Sequence, residues 1–158
     1  MATYCIEQIE GLKESNRRSV MLLSSKDDRE VNAAKTFDGL GKKHERDVRS
    51  RFDSWIDGMR NNRWFHGWDV DPYRECLVFK WKEKNVHHRL YGFLYHPLPK
   101  TNARFELCVL TNAASKTEYE TDKAELNKAN ALRQDDNVRV AIQMIFSDEK
   151  PGTNRCLN

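Results

Sequence analysis

The sequence predicts an α+β fold: a small antiparallel sheet with helices packed on one face and a helix near the C-terminus. Three observations predict it. A stretch of 26 residues from Phe37 to Asn62 carries apolar side chains at spacings of three and four. Three consecutive stretches between residues 75 and 111 alternate with period two and are joined by short connections, as in a meander. The last third returns to helical spacing, which gathers the helices around one sheet.

The elements follow in order. Ile6, Ile9 and Leu12 fall at helical spacing, so residues 1–18 read as a short helix or an extension. Residues 19–24 (SVMLLS) form an apolar run bounded by polar residues, as a buried strand does. Lys26 to Arg29 reads as a turn. In the helical region Leu40, His44, Val48, Phe52, Trp55, Ile56 and Met59 share a face, and Gly39 and Gly41 break the helix near its start. Residues 64–74 (WFHGWDVDPYR) read as an aromatic connector.

The meander comes next. From Glu75 to Lys82, Leu77, Phe79 and Trp81 take one face, and Cys76, Val78, Lys80 and Lys82 take the other. Lys84 and Asn85 sit in a hairpin turn. From His88 to His96, Arg89, Tyr91, Phe93 and Tyr95 share a face, and Pro97 and Pro99 end the strand. Arg104 to Thr111 is the third strand. Asp122 with Glu125 resembles a capping box, and Val138, Ala141, Ile142 and Ile145 form the stripe of a last helix that ends before Pro151 and Gly152. The expected organisation is an extension at 1–30 that includes a first strand, a domain at 31–150 and a tail at 151–158.

Composition narrows the function classes. With 158 residues, 39% hydrophobic and 10% aromatic, the chain is long enough for a core without staples. No apolar run approaches the length of a membrane span, and the N-terminus lacks the basic and apolar blocks of a secretory signal. The expectation is a cytoplasmic protein with no membrane partner. Its four cysteines, at 5, 76, 108 and 156, are not spaced as a zinc ribbon and are expected to stay reduced. No metal and no cofactor are expected. The P-loop, GxGxxG, HExxH and GxSxG patterns are absent, so nucleotide hydrolysis, dinucleotide binding and zinc proteolysis lose their usual sequence support.

The net charge of +3 is unevenly spread: residues 60–104 hold nine basic and four acidic side chains and four of the five histidines. A local cationic patch of this kind suits a polyanion. Lys80, Lys82 and Lys84 alternate on one strand, Arg89 and Tyr91 on the next, with His87 and His88 beside them. Whether the lysine face and the arginine face coincide depends on register. Lys116 and Tyr119 follow the third strand and are placed to close over that surface. Cations neutralise phosphates and rings stack on unpaired bases. Phosphodiester cleavage needs proton transfer, which His, Tyr or Lys supplies, and a cation for the phosphorane oxygens, which Arg supplies. The same residue types also occur on a plain solvated sheet edge.

Residues 35–141 resemble the RelE/HigB superfamily of toxin–antitoxin toxins, in particular its phage-derived RelE-like branch. The resemblance is carried in order by TFDGL (36–40) through Trp55, the strand FKWK (79–82), HRLYGFL (88–94), FELCVL (105–110), and ASK (114–116) followed by KAELNKA (123–129). It implies a small twisted antiparallel sheet with helices on one face. It also implies a basic toxin that enters the ribosome, cuts mRNA and is neutralised by a cognate antitoxin. Arg89 then takes the place of the strand arginine at the scissile phosphate, and Lys116 that of a lysine after the last strand. Arg89, Tyr91, Lys116 and Tyr119 become the catalytic candidates, with Lys80, Lys82, Lys84, His87 and His88 as RNA-binding candidates. Ser115 stands where the family pattern has a lysine, and Thr121 where it has a proline. Those departures suit a catalytically weakened relative that binds a protein partner, and the shared fold also suits a ParE-like gyrase inhibitor.

Overall fold

The computed structural model describes residues 2–97, 105–116, 122–147 and 155–156. Its elements are β1 (Tyr4–Gln8), β2 (Arg18–Ser25), α1 (Ala33–Asp38), α2 (Lys42–Ile56), β3 (Phe65–Gly67), β4 (Cys76–Glu83), β5 (Val86–Tyr95), β6 (Glu106–Lys116), α3 (Lys123–Arg133), α4 (Asp136–Ser147) and β7 (Arg155–Cys156). All seven strands join one sheet in the order β3-β4-β5-β6-β2-β1-β7. The α+β class holds, but the sheet is mixed rather than antiparallel. β2 and β6 run parallel, with Val20 opposite Cys108 and Leu22 opposite Leu110. Parallel pairing needs a long crossover, and everything from α1 to β5 serves as one here.

Contrary to the expectation of helices on one face, the helices cover both sides of the sheet. α1 and α2 cover one side, where Phe37, Val48, Phe52, Trp55 and Ile56 pack on Val20, Leu22, Leu77, Phe79 and Leu110. Phe52 meets Phe79 edge-on with ring centroids 4.8 Å apart. α4 covers the other side, where Val138, Ala141, Ile142 and Ile145 pack on Ile6, Met21, Leu23, Leu107 and Val109. α3 covers the neighbouring part of that side, with Leu126 and Ala129 on Cys76, Val78 and Tyr91. The reason lies in the strands. β2, β4 and β6 carry apolar residues at odd and even positions alike, so both faces must be buried.

Three local readings also change. The N-terminal segment is strand β1, in which Tyr4 and Ile6 enter one cluster while Ile9 and Leu12 pack from the following loop against the other. A three-residue edge strand, β3, lies inside the aromatic connector. β6 runs on to Lys116, five residues past its expected end at Thr111. The break between α1 and α2 at Gly39–Gly41 is as read, and so is the hairpin turn between β4 and β5, where Lys84 adopts a left-handed φ of 56°.

Cys76 and Cys108 are buried thiols, as expected, and burial pushes the Cys76 pKa up to about 11. Cys5 departs from expectation: it is disulfide-bonded, on a strand whose pairing with β7 sets position 5 opposite position 156. No helix among the described residues is long and apolar enough to cross a membrane.

One glycine holds the centre of the sheet. A Cβ on Gly92 would collide with the Val109 carbonyl oxygen and lie 2.9 Å from the Leu110 Cα. Beside it Thr111 is an extra residue in β6, since Gly92 pairs with Leu110 but Tyr91 pairs with Asn112. The Thr111 hydroxyl donates to the Asn112 Oδ1 at 2.5 Å, with the Tyr91 carbonyl oxygen 3.3 Å away, so the bulge closes on its own buried polar side chains. Gly92→Ala is expected to cost about 2 kcal/mol or more, measured by urea unfolding, because backbone on the facing strand must retreat. An unchanged midpoint would show that β6 yields freely there.

A cationic face on the central strands

The register left open by the sequence is resolved by backbone pairing. Lys80 pairs with Arg89 and Lys82 with His87 across β4 and β5. Arg89 pairs with Ala114 and His87 with Lys116 across β5 and β6. Directly paired residues share a face. Two adjacent rows result on the side of the sheet that α3 covers, Lys80–Arg89–Ala114 and Lys82–His87–Lys116. Lys84 lies beyond them at the exposed hairpin tip. Tyr119 lies outside the described residues.

His88 does not belong to this face. It pairs with Trp81 and Ser115 and stacks on the Trp81 ring, 5.1 Å between centroids, on the side covered by α2. Adjacent positions in a strand point to opposite faces, so His87 and His88 cannot share one.

Burial divides the remaining candidates. Arg89 is 2% exposed and Tyr91 0%. Tyr91 lies under α3 among Cys76, Val78, Leu126 and Ala129. Its hydroxyl has no aligned hydrogen-bond partner, although the Asp122 N–H lies beside it. Burial raises its pKa, opposed by the charge of Arg89. A phenol so placed is remote from solvent-borne substrate. Lys80 is half-buried, and its ammonium donates to the Asn62 carbonyl at 2.9 Å. Burial and then the Arg89 charge lower its pKa. Lys116 stands 3.9 Å from the Asp122 carboxylate that caps α3.

His87 is held below the ordinary histidine pKa by partial burial, then by the charges of Lys82, Arg89 and Lys80. It is therefore a neutral imidazole at neutral pH, flanked by cations in its own row. Such a group accepts a proton readily once an anion offsets its neighbours.

His66, which the sequence reading passed over, also joins this face. It pairs with Val78 from edge strand β3. Its Nδ1 lies 3.0 Å from the Gly67 carbonyl, which places a proton there and leaves Nε2 as the acceptor. Trp68 meets its ring edge-on at 4.8 Å. Burial lowers the His66 pKa most; Gly67 opposes this, and Lys80 and Arg89 add to it. His66 and His87 are two rows and two strands apart, about 16 Å by strand geometry, so they do not act on one phosphodiester. The signal that might have found His66 is the aromatic connector itself, but three residues are too few for alternation to register.

Arg89 links these groups. Its charge bears on His66, Lys80, His87 and Tyr91 alike. Among the described residues no group of three His, Cys, Asp or Glu side chains is disposed to hold a metal. No family model, no curated protein and no solved structure matches the chain.

The histidine shifts predict a pH dependence. A folded-state pKa below the unfolded value of 6.5 means that the unfolded chain takes up the proton first as pH falls. The stability due to neutral His66 is present above about pH 6.5 and is lost below it. Urea unfolding should show stability falling toward about pH 5, and falling less steeply in His66→Gln, with His87 and His88 left to contribute the rest. Equal slopes in the two proteins would remove His66 from the account.

Proposed function

We propose that the protein is a toxin-like inhibitor of translation that binds mRNA on the ribosome and cleaves it, in the manner its resemblance to RelE/HigB toxins implies. The observation that carries this reading is the pair of rows, in which cations from three strands converge around one neutral imidazole. Lys80, Lys82, Lys84 and Lys116 hold successive phosphates. His87 takes the proton of a 2′-hydroxyl, whose oxygen attacks phosphorus. The bond to the 5′-oxygen breaks, and the Lys116 ammonium gives that oxygen a proton. The products are a 2′,3′-cyclic phosphate and a 5′-hydroxyl. Arg89 acts from beneath the surface, where its charge is little screened, on the negative charge that develops in the phosphorane. A cognate antitoxin of acidic surface would neutralise the protein by covering the rows.

The burial of Arg89 and Tyr91 favours a second reading, a relative that keeps the fold and the anion-binding face but cleaves weakly or not at all. Controlled expression in a bacterial host, with mapping of mRNA 5′ ends, separates the two. The first reading expects arrest with new mRNA ends, and a loss of cleavage of about a hundredfold in His87→Gln. Lys82→Ala should weaken RNA binding and reduce the salt slope by about 0.7 for a single strand. Arrest without new ends would move the target to a protein such as gyrase. RNA binding that ignores salt would sink the phosphate assignment.

A further inference from the structure

The opposite face of the same strands carries a cluster that RNA chemistry does not use. His88 Nδ1 stands 2.6 Å from the hydroxyl oxygen of Ser115, its cross-strand partner, and Ser115 is exposed. On the far side of the ring, Nε2 stands 3.8 Å from a Glu83 carboxylate oxygen, which is also 3.6 Å from His44 Nε2 on α2. The Trp81 ring lies against the imidazole with an interplanar angle of 18° and so fixes its plane.

The roles follow from the contacts. If Nδ1 accepts from Ser115, the ring proton is on Nε2, facing the carboxylate that favours it there. A hydroxyl within hydrogen-bond reach of a base, with that base oriented by a third group, is the arrangement of an activated nucleophile. Burial lowers the His88 pKa most; Glu83 opposes this, and His44 and His87 add to it. The imidazole is thus in its base form at neutral pH.

The geometry points to Ser115 as a nucleophile that takes an acyl group from a neutral activated ester, with His88 as its base and Glu83 as a positioning residue. His88 accepts the Ser115 proton as the oxygen attacks the ester carbonyl carbon. The bond from that carbon to the leaving phenolate breaks, and the imidazolium returns the proton to the phenolate. The chain is left as a serine ester and the donor as a phenol. A neutral donor fits because the half-exposed Glu83 carboxylate repels an anionic one. The inference does not rest on the RNA reading, since the two faces lie on opposite sides of the sheet.

The test is incubation of the purified full chain with p-nitrophenyl acetate, following nitrophenol release and mapping the acetyl group by peptide mass. One acetyl per chain is expected, on Ser115, and none there in Ser115→Ala, whose exposed position leaves the melting temperature unchanged. His88→Gln should slow acetylation by about a hundredfold. Glu83→Gln removes the charge that raises the His88 pKa, so the midpoint of the pH–rate profile should move to lower pH. A merely structural Glu83 would leave that midpoint in place. Acetylation of Lys116 with Ser115 unmodified, or equal rates on Ser115 with and without His88, would overturn the proposal.

Discussion

The extra residue in β6 is the constraint on which both faces of the central sheet depend. Side chains alternate with period two, so one inserted residue reverses the face of everything beyond it. Thr111 is that residue. Beyond it Asn112, Ala114 and Lys116 point toward α3, and Ala113 and Ser115 toward α2. Without the insertion Lys116 would leave the row that holds Lys82 and His87, and Ser115 would turn away from His88. Gly92 allows the insertion, because any Cβ there would collide with the facing backbone. Polar groups then hold the bulge in place. Asn112 donates to the Glu125 carboxylate of α3, and Asn32 accepts from the Ala113 N–H at 2.7 Å. Asn112 is fully buried, so losing its Glu125 partner would leave its amide unsatisfied in the core.

One pair of strands also presents different titratable groups to the two faces of the sheet. β5 supplies His87 and Arg89 to one side and His88 to the other. The side under α3 collects cations, and its imidazoles are held neutral by burial and by those cations together. The side under α2 collects His44 and His88, both within 4 Å of one Glu83 carboxylate oxygen. A residue such as Arg89 tolerates burial only in company, and it transmits its charge to four neighbours rather than meeting solvent itself. Lys82 and Lys84, not the buried Arg89, are the exposed cations of the β4–β5 hairpin.

Much of this was legible in the sequence where periodicity is long. The α2 stripe of Val48, Phe52 and Trp55 and the alternation of β4 and β5 occupy the positions the pattern assigns. So does the stripe of α4, though the face it covers was not foreseen. The misreadings fall where local pattern is short or double. Ile6, Ile9 and Leu12 mimic a helical stripe, yet only Ile6 lies in a strand, and the other two reach the core from a loop. β3 is too short to show a pattern. The alternating lysines of β4 read locally as a solvated face, whereas Cys76 and Val78 on that same face are covered by α3.

The sequence by itself determined the types of the longer elements, the α+β class, the meander of β4 to β6 and the residue types available for chemistry, because these follow from hydrophobic period and turn residues along a single stretch of chain. Only the tertiary structure decided which residues meet. That β2 lies parallel to β6, that Lys80 faces with Arg89, that His87 and His88 serve opposite faces and that Ser115 reaches an imidazole all depend on pairing between segments far apart in sequence. Register is set by packing on both faces and by one inserted residue, and neither leaves a local periodicity to be read.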